Sequence, residues 1–120
     1  MRVISGIYKG RKLVSSKDLH IRPTTDRVKE FIFNILHDYP QDKMVADIFS
    51  GSGNLGIEAL SRGARKTVFV DNSNNSMHIL KKNIESLKIP KDSYDIRLED
   101  AINFVKNSDN IFDLKNLAEV

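Results

Sequence analysis

From residue 44 onward the apolar positions of this chain fall into alternating blocks of two kinds. Val45–Phe49 and "TVFVD" (67–71) are short, nearly continuous apolar runs rich in β-branched and aromatic residues, as in strands buried on both faces, and Tyr94, Ile96 and Leu98 alternate as a third strand. Between them lie helical stretches. Asn54–Arg62 is one, and Asn75–Lys88 is another, with Met77, Leu80, Ile84 and Leu87 along one face and Pro90 closing it off. Ala101–Lys106 makes a short helix, and "IFDL" (111–114) begins a fourth strand. Strands alternating with helices in units of about 25 residues predict a parallel sheet with right-handed crossovers, a doubly wound α/β domain that stops early.

Upstream the pattern differs. Residues 2–14, "RVISGIYKGRKLV", place β-branched and aromatic residues around Gly6 and Gly10 and predict a short hairpin or paired strands. A helix follows, capped by Thr25 or Asp26 and stopped by Pro40. Its Val28, Phe31, Ile32, Ile35 and Leu36 fall at i, i+3, i+4, i+7 and i+8, the spacing of one buried face. The expected organisation is a small β arm over residues 1–21 joined to a single α/β domain over 22–120.

Charge sharpens that division. Residues 1–29 carry eight basic and two acidic side chains, a net of +6, which leaves −3 for the rest of a 120-residue chain whose formal net charge is +3. A basic arm on a mildly acidic domain points to a polyanion contact, because neutralising phosphates is the sequence-independent part of nucleic-acid affinity; a solvated surface strand is the plainer alternative. The absence of cysteine excludes disulfides, thiolate metal sites and a cysteine nucleophile, and fits a cytoplasmic setting. His20, His37 and His78 lack metal-ligand spacing, so no metal is expected, and no apolar stretch is long enough to span a bilayer.

The chemistry concentrates in "DIFSGSGNLG" (47–56). Gly51, Gly53 and Gly56 form a G-x-G-x-x-G spacing between a predicted strand and a predicted helix, where glycine permits a tight turn and close approach of a ligand to the backbone. A dinucleotide is the first ligand to consider. Three carboxylates weigh against it: Asp47, Asp71 and Asp100 recur at intervals of 24 and 29 residues, each at the carboxyl end of a successive strand. Asp71 can accept hydrogen bonds from vicinal ribose hydroxyls in either an NAD or an S-adenosylmethionine site. Asp47, just before the loop, would repel a pyrophosphate and attract the ammonium of a methionyl group. Asp100 can accept from an adenine amino group while the Ala101 N–H meets a ring nitrogen. The carboxylates therefore favour S-adenosylmethionine, with a nicotinamide dinucleotide and its oxidoreductase chemistry as the alternative, and helix capping is the purely structural reading of each.

"RPTTDRVKEFIFNIL" (22–36), "DIFSGSGNLGIEALSRGA" (47–64) and the arm "RVISGIYKGRKL" (2–13) together resemble the RsmD family, bacterial 16S ribosomal RNA guanine-N2 methyltransferases. The resemblance runs from Arg2 to about Leu114. It implies a Rossmann-like S-adenosylmethionine-dependent methyltransferase fold with a small N-terminal β extension, represented here by its donor-binding half. By that resemblance Ser50, Gly51, Ser52, Gly53, Asn54 and Gly56 lie along the methionine part, Asp71 binds the ribose, and Asp100 with Ala101 reads the adenine; Asp47 and Asn72 complete the expected donor-binding set. Arg2, Lys9, Arg11 and Lys12 of the arm, with Arg22, Thr24 and Arg27, would meet the substrate: 16S RNA or the assembling small subunit, bound by a monomer. In the family an Asp/Asn-Pro-Pro-Tyr motif follows the fourth strand and orients a flipped guanine. Here "IFDL" is followed by "KNLAEV", and the prolines are Pro23, Pro40 and Pro90. Catalytic residues are therefore left unassigned, these 120 residues alone are expected not to transfer methyl groups, and a non-catalytic RNA- or cofactor-binding remnant is the second reading.

Overall fold

A computed structural model describes residues 1–15, 26–48, 50–108 and 114–115. Four helices and four strands follow one another: α1 (Asp26–Leu36), β1 (Met44–Ile48), α2 (Asn54–Ser61), β2 (Lys66–Asp71), α3 (Asn74–Leu87), β3 (Tyr94–Leu98), α4 (Ala101–Ser108) and β4 (Leu114–Lys115), with a 3₁₀ turn at Lys91–Ser93 before β3. The strands make one parallel sheet in the order β3-β2-β1-β4. Sequence order thus reverses between β1 and β4, and the loop leaving β1 opens at that reversal, where open α/β sheets hold ligands.

Alternation along the strands divides the core between the two faces. Val45 and Phe69 point to the side covered by α1, α2, α3 and the N-terminal arm, in a cluster with Val3, Phe33, Ile57, Leu60, Leu80 and Ile84. Ala46, Ile48, Val68 and Val70 point to the other side, where Ala101 and Phe104 of α4 cover them. The helices on both faces make the sheet doubly wound, as the alternation of blocks predicts. Among the described residues no helix is long and apolar enough to cross a membrane.

The arm is less regular than a hairpin. It holds a single antiparallel bridge, Arg2 to Lys12, supported by Val3 N–H to Arg11 O at 2.9 Å and Gly10 N–H to Val3 O at 2.8 Å. Other backbone groups turn to the domain: Ile4 and Ser5 donate to the Glu58 carboxylate at 2.9 and 3.0 Å, and Tyr8 donates to Ser61 Oγ at 3.0 Å.

The buried face of α1 departs from the sequence expectation. Val28, Phe31 and Ile35 are 44%, 65% and 66% exposed, whereas Lys29, Ile32 and Phe33 are 0%, 5% and 1% exposed. The helix is turned so that its inner stripe begins with a lysine. Lys29 Nζ reaches Glu58 Oε1 at 3.2 Å, Arg2 O at 2.6 Å and Asn54 Oδ1 at 2.7 Å, so the ammonium is fully coordinated where apolar spacing alone would not place a charge. Phe33 packs beneath the Arg62 guanidinium, 4.6 Å from the ring centroid, and Arg62 Nε in turn donates to Glu58 Oε2 at 2.8 Å.

A buried pair of this kind is asymmetric under substitution. Lys29→Met leaves the Glu58 carboxylate with Arg62 and two backbone N–H groups, and Glu58→Gln leaves the Lys29 ammonium with neutral oxygens alone. Each breaks a buried ion pair and is expected to lower unfolding free energy by about 3–5 kcal/mol in urea titrations. The double variant should recover part of that loss, giving a coupling energy of about 0.5–3 kcal/mol in the double-mutant cycle. Strict additivity would show that the two charges do not depend on each other.

Candidate functional site

The loop after β1 is shaped by three glycines with different tasks. Gly53 precedes α2 with φ +87°, and a Cβ there would lie 2.3 Å from Leu80 Cδ1. Gly56, in the first turn of α2, has no room either: a Cβ would lie 2.4 Å from Phe69 Cε1 and 2.8 Å from Asp47 Oδ2. Both let the helix and loop sit tightly on the sheet. Gly51, with φ +55°, meets nothing within 4 Å in its Cβ direction and is the one that faces open space.

Two of the three carboxylates hold this loop. Asp71, at the carboxyl end of β2, accepts the Gly51 N–H on Oδ2 at 3.0 Å and the Ser73 N–H on Oδ1 at 2.9 Å. Each oxygen keeps a further lone pair for a ligand hydroxyl. Asp47 lies fully buried below the loop, with Oδ2 accepting the Gly56 N–H at 2.9 Å. Burial, opposed by that hydrogen bond and reinforced by the Asp71 charge, pushes its carboxyl up from 3.8 to about 7. Asp47 is thus not the fixed anion that strand-end position suggests; near neutrality it is poised between its two forms. Among the described residues its Oδ1 and the buried Ser50 Oγ find no hydrogen-bond partner, so the loop offers two unsatisfied polar atoms as well as open space. That combination fits a ligand carrying N–H or O–H donors.

Asp100 stands apart. It is exposed at the start of α4, and Oδ2 accepts the Asn103 N–H at 3.2 Å, a helix cap. The Ala101 side chain is buried under the sheet beside Phe104, and Asn72 is exposed. A cavity of about 610 Å³, lined by Asn74, Met77, His78, Tyr94, Asp95 and Leu98, flanks α3 and β3 away from Gly51 and contains none of the loop residues.

On the arm, Arg2, Lys9, Arg11 and Lys12 are all exposed. Arg11 is committed to the domain, donating to Ser86 O of α3 at 2.9 Å, and Arg2 lends its carbonyl to Lys29. Arg27 is exposed on the first turn of α1, while Arg22 and Thr24 lie outside the described residues. Asn54 is buried at the start of α2, tied to Lys29.

Three residues with a hold on the loop lack any motif. Lys29 hides as a charge on a helix whose expected inner face holds at Ile32 and Leu36 and fails at Val28, Phe31 and Ile35. Ser73 caps α3 by accepting the Ser76 N–H at 3.2 Å while its own N–H orients Asp71. Asn83 is 1% exposed and joins α3 to both the loop and the arm. Its sequence signal is a polar residue three positions after Leu80, on an otherwise apolar stripe.

Comparison with known proteins adds kinship to this geometry. Residues 1–114 match the family described as "Conserved hypothetical protein 95". Ribosomal RNA small subunit methyltransferase D of Haemophilus influenzae is 39% identical over 110 residues, covering 92% of this chain and 57% of that protein. The protein of the same name in Escherichia coli K12 is 42% identical over 88 residues, covering 73% and 44%. The solved structure of Escherichia coli yhhF superposes with a TM-score of 0.77 at 34% identity, covering 88% of this chain and 55% of that one. The chain spans about half the length of the curated relatives it matches.

Two substitutions separate the tasks in the loop. Gly51→Ala meets only the left-handed backbone, a cost of about 1–2 kcal/mol, whereas Gly53→Ala adds overpacking against Leu80 of about 1–3 kcal/mol more. Equal losses in urea melts would mean that Gly51 is packed too. Titration supplies a second test. Because the folded state holds the Asp47 proton up to about pH 7 while the unfolded chain releases it near 3.8, this group's contribution to stability is full below about 4 and is lost as pH rises towards 7. The wild type should therefore lose stability relative to Asp47→Asn across that window, by at most about 1.4 kcal/mol per pH unit. Parallel stability curves would place the proton elsewhere.

Proposed function

The chain belongs to the RsmD family, that of the small-subunit ribosomal RNA methyltransferase D proteins, and on that premise we propose that it forms the donor-binding half of an S-adenosylmethionine-dependent enzyme that methylates guanine N2 of 16S ribosomal RNA. The observation that carries the donor assignment is the buried Asp47 carboxyl beneath the loop, whose Oδ1 and the neighbouring Ser50 Oγ stand ready to accept from a methionyl ammonium. Asp71, held by two backbone N–H groups beside the open Gly51, suits the ribose of that ligand. S-adenosylmethionine, when bound, supplies an electrophilic methyl group on a sulfonium centre.

What this chain contributes is position and charge. Asp71 accepts the two ribose hydroxyls with its remaining lone pairs, and Asn72 lies beside it. Ser50 to Gly56 follow the methionine part, where Ser50 Oγ and Asp47 Oδ1 accept from the ammonium group and remove two orphaned polar atoms from the interior. A cation there favours the ionised form of Asp47, so the ligand draws its own counter-charge from a carboxyl poised near neutrality. The cap role of Asp100 leaves lone pairs for the adenine amino group, and the Ala101 N–H, at the start of α4, is among the donors that a helix leaves unpaired. The exposed Lys9, Lys12 and Arg27, with Arg22 and Thr24, meet RNA. Their phosphate contacts position the substrate without selecting the base. The setting is the cytoplasm, where small subunits assemble.

Isothermal titration with S-adenosylhomocysteine should show Asp71→Ala weakening binding by about 1–3 kcal/mol. Wild-type affinity should rise between pH 6 and pH 8 as Asp47 ionises. Tighter binding of NAD than of the adenosyl ligand would overturn the donor assignment. Replacing Lys9 and Lys12 with alanine should weaken binding of a small-subunit RNA transcript and make the slope of log K against log salt shallower by about one to two units; an unchanged slope would leave the arm a solvated surface.

A further inference from the structure

Asn83, on the inner face of α3, uses its whole amide on two partners that are far apart in sequence. Oδ1 accepts the Val14 N–H at 2.7 Å, and Nδ2 donates to Val14 O and to Ser52 O, both at 2.9 Å. The orientation of the amide follows from chemistry, since one partner is a donor and two are acceptors. The side chain is 1% exposed, so none of these bonds competes with bulk water. Val14 follows the basic residues Lys9, Arg11 and Lys12 of the arm, and Ser52 lies between Gly51 and Gly53. Arg11, bonded to Ser86 O one turn along α3, seats the arm on the same helix.

We propose that Asn83 is a positioning residue that couples the donor loop to the RNA-contacting arm, so that donor and RNA bind cooperatively. The proposal rests on the donor and RNA assignments above. Its physical basis is that the Ser52 carbonyl and both backbone groups of Val14 share one planar amide. An arm held in place by RNA fixes that amide, which fixes the loop turn at Ser52 and lowers the ordering cost of donor binding. Linkage requires the reverse as well: bound donor must tighten RNA by the same factor. No other side chain of this length donates twice and accepts once. Aspartate would face two carbonyl oxygens with a carboxylate, and leucine would orphan three backbone groups.

The test uses two variants on opposite sides of the connection. Asn83→Asp changes the amide itself, and Val14→Pro removes the arm's N–H donor at a half-exposed position that itself makes no bond to the loop except through Asn83. S-adenosylhomocysteine is titrated into the chain with and without saturating unmethylated small-subunit RNA transcript. The wild type should show RNA tightening the nucleoside about fivefold or more, within the usual range of such couplings. In both variants the factor should fall to near one while cooperative thermal melting persists, which separates coupling from general loss of structure. A wild-type factor of one with both ligands bound, or a factor unchanged in both variants, overturns the proposal. Amide hydrogen exchange needs no ligand: the Gly53 N–H, bonded to Ser50 O at 2.8 Å, should exchange about tenfold faster in Val14→Pro. Unaltered Gly53 exchange in that variant overturns it too. If the wild type binds neither ligand, the functional reading fails, and the exchange result still decides whether the arm governs the loop.

Discussion

The Glu58 carboxylate is the point on which the N-terminal part of the structure depends. It is fully buried, and it collects the Lys29 ammonium from α1, the Arg62 guanidinium from its own helix and two backbone N–H groups from the arm. Burying an isolated carboxylate there would be costly; four donors offset that cost. Each donor also fixes something else. Lys29 sets which face of α1 turns inward and reaches Asn54 at the start of α2, Arg62 covers Phe33, and Ile4 and Ser5 bring the arm across the end of α2. The value of the network therefore lies in uniqueness: hydrophobic residues would pack α1 in several rotations, whereas a buried cation permits the one in which its three oxygens are present.

The same economy governs the loop. A G-x-G-x-x-G spacing reads as a ligand signature, yet Gly53 and Gly56 are required by Leu80 and Phe69, which are core residues. Only Gly51 faces outwards. The ligand-facing portion of the motif is small, and its chemistry comes from the acids around it, with Asp71 oriented from outside and Asp47 held beneath. Because Asp47 is buried and close to Asp71, its charge responds to what enters the loop, a property that a surface carboxylate lacks.

Much of this was legible in the residue pattern. The alternation of blocks after residue 44 sets the parallel sheet, helix placement and the strand-end position of Asp47, Asp71 and Asp100, because buried strands and amphipathic helices have contrasting periods. Three things were hidden for identifiable reasons. Lys29 conceals the inner face of α1, since a charge on a core stripe makes the neighbouring stripe of Val28, Phe31 and Ile35 look more regular. Strand-end spacing does not distinguish a ligand carboxylate from a cap, so the bond from Asn103 to Asp100 emerges only with the helix in place. Asn83 carries no motif, because its partners are backbone groups at positions 14 and 52 that any sequence would possess.

The wide sequence separation of the arm's contacts also orders events in time. Ile4 finds Glu58 across 54 residues, and Val14 finds Asn83 across 69. Non-local contacts of this kind form late, after the loop they close has lost its freedom. During synthesis the arm leaves the ribosome before its hydrogen-bonding partners, which follow seconds later at about 5–20 residues per second. Until α2 and α3 emerge, Val3 and Leu13 have no core to enter, and the basic residues around them are presented on an unanchored chain. The arm is thus made before the elements that seat it, and the buried charge of Lys29 finds its counter-ion only when the nascent chain has reached Glu58.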